Sequence, residues 1–396
     1  MRKKILTAAL AALLLLSGCS ALVEGEYRTT TAHRETMEDK SAAPAAEVQN
    51  YQALYSALFD MISSREEYGV IRFVGYDGIA EADISEACMD ITYNTPLGSY
   101  SVYNISSTVT RIVSYYEAEV EISYKKTARQ MNSVRTARSM FHIENLLHDA
   151  IESNESVIAI QTDVSDMTAE GVRQLVMRLF LEEPGQFVCE PQVSVHFYPD
   201  SSEEKIVEVQ LEYPISGGTL QTMREVLSDK ASEIEVSAEA EGRGAEGLLA
   251  LAERLAALSE YMKKPADPIE SSAASWQTAY GAIVSGRAGS RGFALAYKLL
   301  CDRYGTECMI VKGRLGDAQR YWNIVRVGEN YSHIDVSALA EKGGHAAFLS
   351  DQEMSGMDYR WSPDDYPPCI GPVASDLPEE DAAEEQSSEP AYPAFA

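Results

Sequence analysis

Basic residues are scarce in this 396-residue chain: Lys and Arg number 33 against 61 Asp and Glu, which leaves a formal charge of −28. A surface that acidic repels phosphate backbones, so nucleic acid is excluded as a partner. The same charge suits a protein that stays soluble close to a membrane or wall. A second long apolar run is also missing. Only residues 5–16 form one, and it is too short to span a bilayer. Cysteine is sparse as well. Apart from Cys19 there are Cys88, Cys189, Cys301, Cys308 and Cys369, an odd number whose spacing fits no zinc motif. No metal and no other cofactor is expected. Cys88 continues an apolar stripe with Ile84 and Ile91, so buried thiols are expected. Cys301 and Cys308 stand where a helix end meets the next strand, and the sequence leaves open whether they are bridged. Apolar residues make up 45% of the chain, enough for two or three compact domains, each with its own core.

The beginning of the chain carries an export pattern. Arg2, Lys3 and Lys4 precede the apolar run, and Leu16-Ser17-Gly18-Cys19 closes it. This resembles the lipobox of bacterial lipoproteins, in which small residues flank the cleaved bond and the thiol is acylated. The resemblance implies a signal peptide over residues 1–19, lipidation of Cys19, and a membrane partner reached through that lipid. The location it implies is the outer face of the bacterial cytoplasmic membrane.

Residues 20–47 are polar and Ala/Thr-rich without hydrophobic period, which reads as a tether. Tyr51, Leu54, Tyr55, Leu58, Phe59 and Ile62 then fall on one helical face. An internal repeat follows. Residues 70–124 and 157–213 share one order: a short apolar strand, an amphipathic helix that stops near Pro96 or Pro184, then two strands. In the last strand of each copy, apolar residues alternate with polar ones, mostly acids (Ala118, Val120, Ile122, Tyr124; Val207, Val209, Leu211, Tyr213), so one face of each sheet is wet. A trailing helix is expected after each copy, near residues 130–151 and 219–232. These are two βαββ modules, at 48–153 with flanking helices and at 154–237, without a reactive cluster; His196 falls on the polar phase of its strand. A leucine-rich helix over residues 245–262 opens a third domain, 245–370. Residues 371–396 carry seven acids, four prolines and no basic residue, a composition that cannot bury a core.

The third domain carries the motifs. Residues 280–284, followed by Gly289-Ser290-Arg291-Gly292-Phe293-Ala294, resemble the nucleophile segment of the transglutaminase-like, papain-type cysteine enzymes. There a loop delivers Cys to the N-terminus of a buried helix in a Cys-x-Gly-Tyr/Phe-Ala pattern. A thiolate in that place gains from the helix dipole and free N–H groups. Tyr321-Trp322-Asn323-Ile324-Val325 resembles the family strand in which His precedes x-Trp-Asn. Tyr331-Ser332-His333-Ile334-Asp335-Val336 resembles the next strand, whose Asp orients that His. Tyr359-Arg360-Trp361, Tyr366-Pro367 and Cys369 resemble the closing segment of bacterial members. The fold class this implies is α+β, two βαββ modules followed by a transglutaminase-like domain.

The reagents are replaced. By the resemblance, Ser290 holds the nucleophile position, Arg320 the base position, and only the orienting acid, Asp335, remains. Serine without a base stays protonated, and arginine cannot supply one. Two readings of Arg320 stand open: a buried salt bridge to Asp335, or an anion site formed with Arg287 and Arg291 at the mouth of the Ser290 helix. Trp322 and His333 complete the candidate binding residues, and His345 lies in a Gly-Gly-His loop. The expectation is an inactive transglutaminase-like domain that binds peptide, protein or cell-wall material. The alternatives are an active hydrolase or acyltransferase using Ser290 with His333 and Asp335, and a purely structural surface lipoprotein.

Overall fold

The computed structural model describes residues 45–242, 244–263, 275–341 and 347–371, so the lipobox with Cys19, the acidic C-terminal stretch and His345 lie outside it. The architecture is α+β. Among the described residues no helix is long and apolar enough to cross a membrane. The chain divides into two compact units, one made of Met1–Cys88 and Ile105–Ile122, the other of Met89–Asn104 and Ser123–Ala396.

The first unit is built on a four-stranded sheet ordered β1-β2-β4-β3, from β1 (Ala46–Val48), β2 (Tyr68–Phe73), β3 (Val102–Ile112) and β4 (Tyr115–Tyr124). Helix α1 (Tyr51–Ser63) starts at Asn50, whose side chain accepts from Ala53 N at 3.0 Å. It buries Leu54, Leu58, Met61 and Ile62. The end of the Met61 side chain fills the space left at Gly69 on β2, where an added Cβ would stand 2.4 Å from it. Helix α2 (Ala80–Asn94) buries Ile84, Ala87 and Cys88. Along β4, Ala118, Val120 and Ile122 are buried while Glu119 and Glu121 are exposed, the alternation expected for a sheet with one wet face.

The second unit repeats this plan. Helix α2 ends before Thr95-Pro96, and Pro96 opens the short α3 (Pro96–Ser101). After α4 (Ala128–Asn132) come β5 (Arg135–Ala137), α5 (Met140–Glu152), β6 (Val157–Thr162), α6 (Ala169–Glu182), β7 (Gln192–Tyr198) and β8 (Lys205–Glu212). The sheet order is β5-β6-β8-β7, with β5 parallel to β6 and the other pairs antiparallel. Each module thus holds the expected β-α-β-β core preceded by one more strand and helix. The single helix expected near residues 130–151 is therefore broken. Its first part is the short α4, opened by a capping box at Thr127 and ended at Ser133. Its second part, α5, restarts at Ser139 and belongs to the second module. Strand β1 likewise takes Ala46 and Glu47 out of the expected tether.

Helix α7 (Gly217–Glu239) is longer than its periodicity suggested, and α8 (Ala245–Leu258) is shorter, because the chain turns into β9 (Glu260–Tyr261), parallel to β10 (Arg287–Ala288). A π-helical turn at Gly281–Ser285 ends on Gly286 in the left-handed region. Then follow α9 (Ser290–Tyr304), β11 (Cys308–Leu315), β12 (Ala318–Val327), β13 (Asn330–Ile334), α10 (Val336–Ala340), α11 (Asp351–Gly356) and β14 (Tyr359–Arg360). The last sheet is ordered β13-β12-β11-β14. One continuous apolar core runs from the second module through α7 and α8 into α9 and the α9-facing side of β12.

A buried ion pair joins α3 and the residues after β4 to the second sheet. Glu208 on β8 is buried and accepts from Lys126 Nζ, and from Gln210 Nε2 at 2.8 Å. The ammonium lies over the rings of Tyr100 (4.8 Å) and Tyr198 (5.8 Å). Burial pushes the Glu208 pKa up, but its hydrogen bonds to Lys126 and Gln210 outweigh that and leave it below its ordinary value. A carboxylate with a depressed folded pKa stabilises the fold above its unfolded pKa, and that stability is lost as pH falls through the folded value. Glu208→Ala strands the Lys126 charge and should cost about 3–5 kcal/mol in urea unfolding at pH 7. The deficit should shrink toward pH 3. A neutral substitution would place the pair in solvent.

Candidate functional site

The head of α9 is built by close backbone approach. Gly289, the N-cap, donates its N–H to Trp276 O at 3.0 Å. A Cβ there would meet the Trp276 ring at 2.5 Å, and one on Gly292 would meet Trp276 O at 2.6 Å. The 275–278 segment can therefore lie on the first helical turn only with glycine at both positions, which is the physical need behind the small residues of the motif. Thr278 Oγ1 anchors that segment by donating to Val188 O at 3.1 Å. Ser290, the first residue of α9, is nine-tenths buried. Its Oγ accepts the Tyr321 N–H of β12 at 3.2 Å. Two residues on, Asn323 Nδ2 donates to Ala294 O inside α9 at 2.9 Å.

Arg320, beside that contact, is buried and paired. Its Nε donates to Asp335 Oδ2 at 2.7 Å and one Nη to Glu341 Oε2 at 3.2 Å, while the guanidinium lies 4.8 Å over the Tyr261 ring. Asp335 is fully buried as the N-cap of α10. Its Oδ1 accepts from Ser337 Oγ at 2.5 Å and Ala338 N at 3.0 Å; its Oδ2 also accepts from Tyr359 Oη at 2.8 Å. Four donors saturate both oxygens. Burial alone pulls the Arg320 pKa down, but the Asp335 charge reverses this, so the guanidinium holds its proton more tightly than a free arginine. Burial and the same carboxylate raise the Tyr359 phenol. The salt-bridge reading of Arg320 is the one realised.

His333 lies on the face of the sheet turned away from α9. It pairs in register with Ile324, and Ile324 and Trp322 belong to an apolar cluster with Val311, Met354, Tyr359 and Cys369. Asn323 and Val325 point the opposite way, towards α9 and Ser290. Trp322 Nε1–H donates to His333 Nδ1 at 3.0 Å, and His333 Nε2 stands 2.9 Å from Asp351 Oδ1. An indole N–H only donates and a carboxylate accepts, so the proton is on Nε2 and the imidazole is neutral. Burial lowers its pKa below 6.5, with Asp351 partly opposing. Asp335 and His333 do not meet, and no imidazole among the described residues is within hydrogen-bonding reach of Ser290. The grouping of Ser290 with His333 and Asp335 is not formed.

His333, Asp351 and Cys369 offer donor atoms within 4.8 Å of one another, but the set does not fit a metal. The His333 nitrogen that would bind one carries the proton, and the other is held by the Trp322 N–H. The alternative reading, an anion site of Arg287, Arg291 and Arg320, meets three arginines that each face a carboxylate. Arg291 crosses to the second module, donating to Glu190 at 2.9 Å and stacking 4.3 Å from the Phe180 ring. Arg287 is largely exposed, 3.9 Å from Glu260. His196 is exposed on β7. In the sequence Tyr359 stands out only as part of the closing segment, and Ser337, Glu190 and Trp276 carry no motif. A hydroxyl two residues after a helix-capping Asp was the one local signal available for Ser337.

No family model and no curated protein matches the chain. Among solved structures it is similar to a protein described as a TGase, at 12% identity over 79% of this chain and 83% of that one, with a TM-score of 0.27. It is similar to a candidate cysteine protease from Cytophaga hutchinsonii at 12% identity, over 39% of this chain and 65% of that one, TM-score 0.23. A candidate protease from Parabacteroides distasonis shares 8% identity over 71% of this chain and 44% of that one, TM-score 0.21. Overlaps this loose carry no argument of their own, and the chemistry of the site rests on its side chains.

Two outcomes follow. Arg320→Ala leaves Asp335 buried without its cation and should cost about 3–5 kcal/mol in chemical denaturation; an unchanged midpoint would put Arg320 at the surface. Because the folded pKa of His333 lies below 6.5, its neutral form stabilises the fold above that pH, and the contribution is lost as pH falls through the folded value. Lowering pH from 7 to 5 should reduce the melting temperature of the wild type more than that of His333→Gln. Equal losses would show that His333 accepts a proton freely.

Proposed function

We propose that the chain is an exported lipoprotein, anchored through Cys19 on the outer face of the bacterial cytoplasmic membrane, whose C-terminal domain is a catalytically inactive transglutaminase-like module. The domain binds peptide, protein or cell-wall material at the face around Ser290. The observation that carries this reading is the Arg320–Asp335 contact at 2.7 Å. In the family that the motifs resemble, the acid orients an imidazole; here its oxygens hold a guanidinium, a tyrosine, a serine and a backbone N–H. Ser290 keeps the helix head, but among the described residues no imidazole or carboxylate is hydrogen-bonded to its hydroxyl, and acyl transfer needs a group that takes its proton. The helix head, the Trp-Asn strand and the capped Asp are retained as a scaffold, and tightly held scaffolds suit recognition.

A photo-crosslinking residue in place of Tyr321, which is partly exposed beside Ser290, tests the binding role in intact cells. Adducts with peptide, protein or wall fragments are expected; a clean blank would favour a purely structural lipoprotein. In the same cells Cys19→Ser should shift the protein from the membrane fraction to the soluble one. Retention in the membrane would remove the lipid anchor from the proposal.

A further inference from the structure

Five cysteines among the described residues are buried as free thiols, and two of them touch. Cys301 lies in the last turn of α9, and Cys308 is the first residue of β11. The connection between them is tight. Gly305 ends the helix in the left-handed region, and Thr306 N–H returns to Cys301 O at 2.9 Å. This folds the strand start back against the helix end, where the Cys301 and Cys308 side chains act on one another. Their neighbours hold them there. Tyr297, one turn earlier, hydrogen-bonds Cys301 and is fixed by its own bond to Leu248 O at 3.0 Å. Asn323 Nδ2 stands 3.4 Å from Cys308 Sγ. The titratable groups acting on Cys189 and Cys369 are not thiols but Arg224 and Asp351 respectively.

We infer that Cys301 and Cys308 are a disulfide site, closed when the chain folds in an oxidising medium. The two thiols lose two protons and two electrons, an Sγ–Sγ bond forms, and a small-molecule or protein disulfide is reduced to two thiols in exchange. Closure belongs to the folding reaction. Once α9 is packed, burial keeps the Cys301 thiol protonated, its pKa well above the ordinary value, and a protonated thiol does not attack a disulfide. The bond would staple the C-terminus of the helix that carries Ser290 to the sheet that carries Arg320. The oxidising setting in the cell rests on the export reading above, whereas the pairing rests on the turn at Gly305 and on the side chains it brings together.

The full chain is folded in a glutathione redox buffer, denatured, alkylated without reductant and digested with trypsin. The expected product is the segment 299–303 joined to 304–312, lighter by two hydrogens than the separate peptides, since cleavage at Arg303 falls between the two cysteines. The oxidised protein should also melt a few degrees above the reduced one, as a short closed loop allows, and Cys301→Ala/Cys308→Ala should be insensitive to redox. Alkylation of both cysteines, or bonding of either to a third, overturns the inference. If the joined peptide forms in glutathione but is missing from protein isolated from cell membranes, the pairing stands and the export reading falls.

Discussion

The contact on which the rest of the C-terminal domain turns is the one between Arg320 and Asp335. Both groups are buried, and burying either alone costs several kcal/mol. Their pairing removes that cost and determines the neighbours: Tyr359 and Ser337 must supply the carboxylate with its remaining hydrogen bonds, Tyr261 must cover the guanidinium, and Glu341 must take the free donor. It also determines the chemistry. A guanidinium holds its proton across the whole biological pH range, so Arg320, next in the chain to the Tyr321 whose N–H binds Ser290, is a permanent cation that cannot act as a base.

His333 shows the same principle beside Trp322. Trp322 and Asp351 between them specify which nitrogen carries the proton, and that one assignment disfavours metal binding, general-base catalysis and acid tolerance together. Two polar groups that proton traffic needs elsewhere are here each saturated. Local saturation of this kind gives a rigid domain, consistent with the continuous core linking it to the second module.

Much of this was legible in the residues. Gly289 and Gly292 announce the crowded helix head, the motif positions of Arg320 and Asp335 announce the ion pair, and the alternation in β4 announces a half-wet sheet; the same alternation in β8 misleads, because Glu208 is buried and paired with Lys126. What escaped did so for physical reasons. Strands β1 and β5 have three residues each, too few for a period, and exist only because β2 and β6 pair with them. Arg291 looked like part of an anion site because its partner Glu190 lies about a hundred positions away, invisible to local pattern. His333 and Asp335 share a strand phase, but the chain leaves β13 between them to start α10, and the turn sends their side chains to different partners.

The most direct measurement is turnover of an activated ester by the purified full chain, followed from pH 5 to 9 beside Ser290→Ala. The account predicts identical background rates, with no step in the profile that depends on the hydroxyl. A rate that rises above background and disappears with Ser290 would contradict it.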